Sequence, residues 1–281
     1  MAAGERPARA ASAASSPGGG FLSPVLLVSL ALTAVVAIWG LVDTAGFAAL
    51  VAEVVSSAFA ARGWFIMLTA SFMLILSFAL ALSPAGRIRL GRDDERPEFS
   101  TASWLAMMFA AGMGVGLLFY GAAEPLTHYA LLAEAEPPGV AASNARFVTF
   151  FHWGLHAWAI YGLTALVIAY FAFRRSEPSL VSAPLKSTFG ENRVTRAVGW
   201  ASDVAAITAI AIGVGGSVAM GVFQRQGGLA VLLGEAARAP VATLAIFVVV
   251  VAAFMLPLTV DLGEGMSKLS TIAMSLAIGL L

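Results

Sequence analysis

Seven long apolar runs limit what this chain can fold into more than any other feature of its sequence. They occupy residues 24–42, 63–83, 101–123, 146–173, 201–223, 240–260 and 268–281. A helix needs about 20 predominantly apolar residues to cross the hydrocarbon core of a bilayer, and the first six runs meet that length. The seventh stops at Leu281 after 14 residues, so we expect the chain to be part of a longer protein.

The composition agrees with a membrane protein and excludes several other classes. The chain is 59% hydrophobic and 11% charged, whereas a soluble domain carries about 25% charged residues. Sixteen Lys and Arg balance sixteen Asp and Glu, which leaves no net charge to attract nucleic acid. The absence of cysteine excludes disulfides, thiolate chemistry and cysteine-based metal sites. We therefore predict an all-α polytopic membrane protein and not a soluble enzyme.

Lysine and arginine are divided unevenly between the loops, and this division predicts the orientation of the chain. With the N-terminus inside, twelve fall on the cytoplasmic side and four on the outer side. The inside set is Arg6, Arg9, Arg87, Arg89, Arg92, Arg96, Arg174, Arg175, Lys186, Arg193, Arg196 and Lys268, and the outside set is Arg62, Arg146, Arg225 and Arg238. The pattern predicts a multi-pass protein of the cell membrane with a cytoplasmic N-terminus. Residues 1–20 are predicted to be a disordered tail, and residues 44–62 an amphipathic segment on the outer membrane surface.

Three glycines, Gly112, Gly114 and Gly116, alternate at the centre of the third run. Each interior glycine costs a helix about 1 kcal/mol relative to alanine, so the cluster favours local unwinding. Unwound backbone is tolerated in a membrane beside a cavity or an ion, as in the discontinuous helices that coordinate sodium in secondary transporters. The carbonyls from Ala110 to Met113 are then the candidate ligands. Gly112 and Gly116 also fit a G-x-x-x-G helix-packing motif, and the spacing alone leaves both interpretations open.

Four of the six tryptophans of the chain lie near the ends of predicted helices. The fourth run differs, because it carries aromatic residues away from its ends. At about 100° per residue, Trp153, Trp158 and Tyr161 share one sector of a helix over 146–173, and Phe150 points into the same sector. Ring faces bind a quaternary ammonium by cation–π attraction of about 0.5–2 kcal/mol each, and such a cation has no N–H group to donate. The pattern indicates either an aromatic box for a quaternary ammonium or aromatic packing inside a helix bundle.

Two histidines, His152 and His156, share a face of the same helix. This spacing can bind a metal or relay protons, but no third ligand is evident nearby. We therefore favour structural histidines that bond to neighbouring helices.

Charged residues are absent from the third and fourth runs between residues 99 and 123 and between 147 and 173. Intramembrane carboxylates usually mark proton coupling, so their absence favours an ion bound by neutral oxygens. Glu124 and Pro125 are predicted to close the third span at the outer surface. Asp203 is predicted to lie at the start of the fifth span, where it would meet the positive end of that helix.

Four segments resemble the betaine/carnitine/choline transporter family. They are GRIRLGRDDERPEFSTASW (86–104), AAGMGVGLLFYGAAEPLTHY (110–129), FHWGLHAWAIY (151–161) and SDVAAITAIAIGVGGSVAMGVFQ (202–224). The resemblance extends in order over about residues 21–281. It implies a leucine-transporter-like inverted-repeat fold, in which two peripheral helices precede two inverted five-helix repeats.

The resemblance also implies a domain organisation. The two peripheral helices would lie within 21–98, and the first five-helix repeat, truncated in its last helix, within 99–281. The chain would lack the second repeat and the tryptophan-rich eighth helix that completes the substrate box of the family.

The resemblance further implies roles for individual residues. Substrate-binding positions of the family are matched by Trp153, Trp158, Tyr161, Gly112, Gly114 and Gly116. Ala110 and Met113 match positions whose backbone carbonyls help hold sodium. Gly116 is similar to the sodium-coupled betaine type, since proton-coupled choline members often have an aspartate there. Ile210 and Val214 depart from sodium–betaine members, because they have no side-chain oxygen for a second sodium.

Together these features predict a secondary active transporter that imports a trimethylammonium compatible solute, with glycine betaine as the expected substrate, by sodium symport. Sodium is the coupling ion, and no cofactor is expected. The expected partners are the quaternary ammonium substrate, the lipid bilayer and, by family analogy, further copies in a homotrimer. The alternatives are proton-coupled choline uptake, carnitine-type exchange on the same fold and a truncated non-transporting membrane protein.

Overall fold

A computed structural model describes residues 23–112, 114–255, 259 and 262–280, which contain helices and no strands. The α-helices are α1 (Pro24–Val42), α2 (Thr44–Leu82), α3 (Thr101–Gly112), α4 (Val115–Leu132), α5 (Pro138–His152), α6 (Leu155–Ala169), α7 (Ser182–Phe189), α8 (Arg193–Leu233), α9 (Pro240–Met255) and α10 (Leu262–Leu280). In addition, 3₁₀ turns cover Pro84–Arg87 and Gly234–Arg238, and a π-helical turn covers Tyr170–Arg174. The all-α prediction is confirmed for the described residues.

Four helical stretches in the described residues are long and apolar enough to cross a bilayer. They are Pro24–Val42, Thr44–Leu82, Pro138–Arg174 and Arg193–Arg238. The bent pair of α3 and α4 makes a fifth if it counts as one span. The first five predicted runs fall in these stretches. The sixth begins in α9, which has 16 residues, and the seventh overlaps α10.

The predicted surface segment 44–62 does not stand apart from the second span. Thr44–Leu82 is one helix of 39 residues, about 58 Å long at 1.5 Å per residue. The helix begins where the Asp43 carboxylate accepts the N–H of Gly46 at 3.0 Å, and no proline follows until Pro84. The prediction of a separate segment is wrong because nothing in this sequence ends the helix between the two parts.

Asp203 lies well inside α8 and not at the start of its own helix, so that prediction is wrong. The helix already begins at Arg193, where Asn192 accepts the N–H of Thr195 at 3.0 Å. Asp203 is 4% exposed, and its carboxylate accepts the backbone N–H of Ser182 at 2.9 Å. Ser182 is the first residue of α7. The carboxylate therefore meets the positive end of α7, and it ties that short helix to α8.

The contacts of the chain form two compact units. Among the described residues, the first comprises residues 23–95 and 151–212, and the second residues 96–112, 114–150, 213–255, 259 and 262–280. In the described part of the first unit, α2 packs against α1 and α6, with Ala70, Ala159 and Leu163 buried. In the second, α3 packs against α10, with Ala106 and Ser270 buried. Small residues let membrane helices approach closely. The predicted domain division stays a prediction, and residues 1–20 lie outside the described residues.

The end of the fourth span is tied to the loop after the second span by one arginine. The Arg174 guanidinium donates to the Asp93 carboxylate at 2.8 and 3.2 Å and to the Gly91 carbonyl at 2.8 Å. The hydrogen bond from Arg174, and next its charge, lower the pKa of the Asp93 carboxyl. Both partners belong to the first unit, so this loop and the π-helical turn are held together within it.

Replacing Asp203 tests its bond to α7. We expect Asp203→Ala to lower the free energy of unfolding by about 1–3 kcal/mol, because it leaves a buried N–H without its acceptor. Asp203→Asn keeps an oxygen acceptor and should cost less. Unfolding of the purified protein by dodecyl sulfate measures both variants, and equal losses would contradict the assigned bond.

Replacing Asp93 tests the tie between the loop and the fourth span. Asp93→Asn should speed amide hydrogen exchange across residues 88–98, because it removes the charge that orders the loop on Arg174. Asp94→Asn is the matched control, since Asp94 pairs with Arg92 beside it and both side chains are exposed. Similar exchange in the two variants would refute the distinction.

The lowered pKa of Asp93 also fixes the sign of the pH dependence of this tie. A carboxylate with a lowered folded pKa contributes stability above its ordinary value, which is 3.8 here, and loses it as the pH falls further. Protection of the loop in the unmodified protein should therefore be equal at neutral and mildly acidic pH, after correction for intrinsic exchange.

Candidate functional site

The third span is interrupted at its glycines. α3 ends at Gly112 and α4 begins at Val115, with Gly114 in an extended conformation at φ −72° and ψ 176°. The two helical segments are bent by 44°. A Cβ on Gly114 would meet nothing within 4 Å, so no close contact requires a glycine there. The observed break favours local unwinding over pure helix packing, and Gly116 lies in the first turn of the second helix.

The break leaves backbone carbonyls at the end of α3 available to a ligand. The last four carbonyls of an α-helix have no partner within it, and Ala110 is one of the last four residues of α3. Neutral carbonyl oxygens are suitable ligands for sodium at a broken membrane helix. The second predicted sodium ligand, Met113, lies outside the described residues. The sodium site therefore stays a prediction.

The fourth span is also interrupted, which the sequence pattern did not predict. α5 ends at His152 and α6 begins at Leu155, so Trp153 and Gly154 lie between the two helices. The predicted sector over one continuous helix is therefore wrong for Trp153, because a rotation of about 100° per residue holds only within a helix. The signal that could have found the break is Gly154, a lone glycine amid large apolar residues.

Trp158 donates hydrogen bonds to both backbone carbonyls at this break. Its backbone N–H donates to the Gly154 carbonyl at 3.4 Å, and its indole N–H donates to the Trp153 carbonyl at 2.9 Å. Gly154 is the N-cap of α6 and Trp153 precedes it, so the Trp153 carbonyl belongs to neither helix. An unpaired amide group inside a membrane costs several kcal/mol. The indole N–H therefore contributes a hydrogen-bond donor to the backbone at this break.

The aromatic rings beside the break form neighbouring pairs. The rings of Trp158 and Tyr161 have centroids 6.1 Å apart and an interplanar angle of 39°. The Trp153 ring lies 5.2 Å from the His152 ring, and the His156 ring lies 4.8 Å from that of Phe151. Trp158 is 40% exposed and Tyr161 73% exposed, so part of this pair is open to a ligand.

The predicted site residues fall into two groups. Trp153, Trp158 and Tyr161 lie together in the first unit, and the interrupted glycine segment lies in the second. Phe150 ends the first stretch of the second unit and is 74% exposed. No group of three metal-ligating His, Asp or Glu side chains occurs among the described residues, so the two histidines have no such set to join.

Glu124 and Pro125 do not close the third span, and that prediction is wrong. α4 continues through both residues to Leu132, with Pro125 inside the helix. Glu124 is 8% exposed and lies 3.4 Å from His128 on the same helix. Sequence reasoning missed this pair, although the spacing of four residues is a sufficient signal.

The positions that depart from sodium–betaine members lie on α8. Ile210 is 65% exposed and Val214 is 39% exposed. Neither offers an oxygen atom from its side chain, so the expectation that these two positions do not serve a second sodium is unchanged.

Comparison with known proteins gives one family. The chain matches the family model described as BCCT, betaine/carnitine/choline family transporter, over residues 24–281. It is 40% identical over 259 residues to the glycine betaine transporter OpuD of Bacillus subtilis, a match that covers 91% of this chain and 50% of that protein.

Two further relatives are named for glycine betaine and for choline, respectively. The chain is 38% identical over 221 residues to a glycine betaine transporter of Acinetobacter baylyi, with 78% of this chain and 33% of the relative covered. It is 32% identical over 222 residues to the high-affinity choline transport protein of Escherichia coli, with 78% and 32% covered. The chain thus spans half or less of the length of these relatives.

Two glycine-to-alanine substitutions in the broken span should have opposite effects on stability. Gly114→Ala should lower the free energy of unfolding by about 1 kcal/mol, because alanine is a poor N-cap residue. Gly121→Ala lies inside α4, where a Cβ meets nothing within 4 Å, and should raise it by about 0.5–1 kcal/mol. Thermal unfolding of the purified variants measures both, and a stabilising Gly114→Ala would contradict the break.

Proposed function

This chain belongs to the betaine/carnitine/choline family of transporters, and we propose on that basis that the protein imports a trimethylammonium compatible solute by sodium symport. Glycine betaine is the expected substrate. The family and the relatives are transporters, and the protein is not an enzyme. The cell membrane is its proposed location, with a cytoplasmic N-terminus that the distribution of Lys and Arg supports.

The observation that carries the substrate class is the ring pair of Trp158 and Tyr161. The two rings are 6.1 Å apart, and the Trp158 N–H already bonds to a carbonyl of the chain. A trimethylammonium group cannot donate a hydrogen bond and is attracted to ring faces by about 0.5–2 kcal/mol each. The face of Trp158, whose N–H is already occupied, suits a methylated nitrogen better than it suits an anion.

The interrupted third span supports a sodium ion as the second substrate. The break places Ala110 among the last carbonyls of α3, and an ion bound by neutral oxygens needs no intramembrane carboxylate. The third and fourth runs carry no charged residue between 99 and 123 or between 147 and 173. Gly116 stands where proton-coupled relatives often have an aspartate, which also favours sodium.

The proposed mechanism couples the two interruptions. Sodium would order the carbonyls at the end of α3 and so favour the conformation that closes the aromatic pair around the substrate cation. The substrate site would then open to the other side of the membrane by rocking of one helix bundle. This mechanism requires the leucine-transporter-like inverted-repeat fold, of which the chain would hold the peripheral helices and most of the first repeat. A homotrimer is proposed by family analogy alone.

Choline is the second candidate substrate. The similarity to the high-affinity choline transport protein of Escherichia coli favours it, and choline carries the same trimethylammonium group as glycine betaine. Proton coupling would accompany this alternative.

Uptake of radiolabelled glycine betaine into proteoliposomes with the full-length protein tests the proposal. We expect uptake to follow an imposed sodium gradient and to cease when potassium replaces sodium. Uptake that persists in potassium and follows a pH gradient instead would refute sodium symport and support the choline-type alternative.

Trp158→Leu tests the ring pair in the same assay. We expect the apparent KM for glycine betaine to rise by about two- to thirtyfold, the range that the loss of one ring face gives. Trp64→Leu is the matched control, since Trp64 is 67% exposed on α2 and distant in sequence from both breaks. An unchanged KM in Trp158→Leu would remove this ring from the binding site.

A further inference from the structure

One side chain serves both the break in the fourth span and the ring pair beside it. The backbone N–H and the indole N–H of Trp158 donate to two successive carbonyls, those of Gly154 and Trp153. The ring that makes this second bond is also the one adjacent to Tyr161. The direction of the Trp158 ring is therefore set by the position of a carbonyl that only the break makes available.

The bond has two consequences for a ligand beside the ring. Trp158 is held by hydrogen bonds from both its backbone N–H and its indole N–H, so its ring keeps one orientation. Less rotational freedom of the side chain is therefore lost when a ligand binds. The indole N–H, which already donates to the Trp153 carbonyl, is also not available to bond to the ligand. Trp158 then presents a π face and no hydrogen-bond donor.

On the premise of the function proposed above, we propose that the Trp153 carbonyl is a positioning group for substrate recognition. Its hydrogen bond orients the Trp158 ring so that the face, and not the N–H, meets the methylated nitrogen. The carboxylate of a betaine consequently binds elsewhere. The break at Trp153 and Gly154 thereby determines which end of a zwitterionic substrate lies against the fourth span.

The alternative is a purely structural bond that stabilises the break without affecting recognition. Loss of the bond would then lower the thermal stability or the amount of folded protein, and it would leave the affinity of the folded fraction unchanged. The two cases differ in whether substrate affinity depends on the N–H.

Two tryptophan analogues at position 158 separate the donor from the face. Benzothienylalanine keeps the fused ring and replaces N–H by sulfur, whereas 5-fluorotryptophan keeps the N–H and weakens the face for a cation. We expect benzothienylalanine to raise the Kd for glycine betaine by about three- to tenfold, the range for one neutral hydrogen bond. Binding is measured on the full-length protein after selection of the folded fraction by size exclusion, so reduced folding does not affect the result.

Choline, which lacks a carboxylate, distinguishes positioning from direct contact. If the N–H acts through the Trp153 carbonyl, benzothienylalanine should weaken choline and glycine betaine by the same factor. A loss confined to glycine betaine would show that the N–H contacts the substrate carboxylate, and it would overturn the proposal. An unchanged Kd for both ligands would also overturn it in favour of a structural bond.

The same experiment distinguishes failure of this inference from failure of the proposed function. Benzothienylalanine at Trp64 is the matched control and should leave both Kd values unchanged. If the unmodified protein binds neither ligand, the proposed function fails, and the positioning role fails with it. If 5-fluorotryptophan weakens both ligands and benzothienylalanine weakens neither, the ring-face recognition stands and only the positioning role is refuted.

Discussion

A polar backbone group without a partner is costly inside hydrocarbon, and the interrupted spans of this protein depend on how that cost is met. In the fourth span, one tryptophan supplies both a backbone and a side-chain donor to the break. In the third span, the break lies at Gly114, and Ala110 is among the last four residues of α3. The two breaks therefore differ in the residues that form them, and the sodium site at the third span remains a proposal.

Polar side chains elsewhere in the chain join elements in the same way. Asp203 is buried in α8 and holds the first N–H of α7, and the almost fully buried Ser29 on α1 donates to the Val204 carbonyl at 3.5 Å. Arg174 joins the end of the fourth span to the loop after the second span. In each case a polar or charged group is paired with a backbone or charged group of another element. The two buried contacts, those of Asp203 and Ser29, thereby help to specify which helices pack together.

The sequence predicts the membrane class and the position of most spans, because about 20 apolar residues have few other uses. At Gly112 to Gly116 it offers local unwinding and G-x-x-x-G packing as two interpretations, and the observed end of α3 and start of α4 distinguish them. The break at Gly154 was missed because a single glycine costs only about 1 kcal/mol, which packing usually overcomes. The indole hydrogen bond of Trp158 to the Trp153 carbonyl accompanies this break. That contact depends on the side-chain rotamer and the local backbone geometry, which the sequence pattern does not specify.

Helix ends were the least predictable feature. α2 begins before its apolar run, α4 ends after its run, and α8 extends past both ends of its run. Amphipathic and weakly polar residues continue a helix until a cap or a proline stops it. The role of Asp203 could not be predicted from the residues near it, since its partner, Ser182, precedes it by 21 positions and belongs to another helix. The sequence predicts that Trp158 and Tyr161 lie near each other, but it does not predict how their rings are oriented.

The π-helical turn at Tyr170–Arg174 has a consequence for the direction of the Arg174 side chain. Its wider turn, closed by the bond from the Arg175 N–H to the Tyr170 carbonyl five residues earlier, holds one residue more than an α-helical turn would, and an extra residue rotates the next part of the chain by about 100°. Deleting one residue here would restore a regular helix and direct the Arg174 guanidinium away from Asp93, so the extra residue of this turn sets the direction of the tie to the loop.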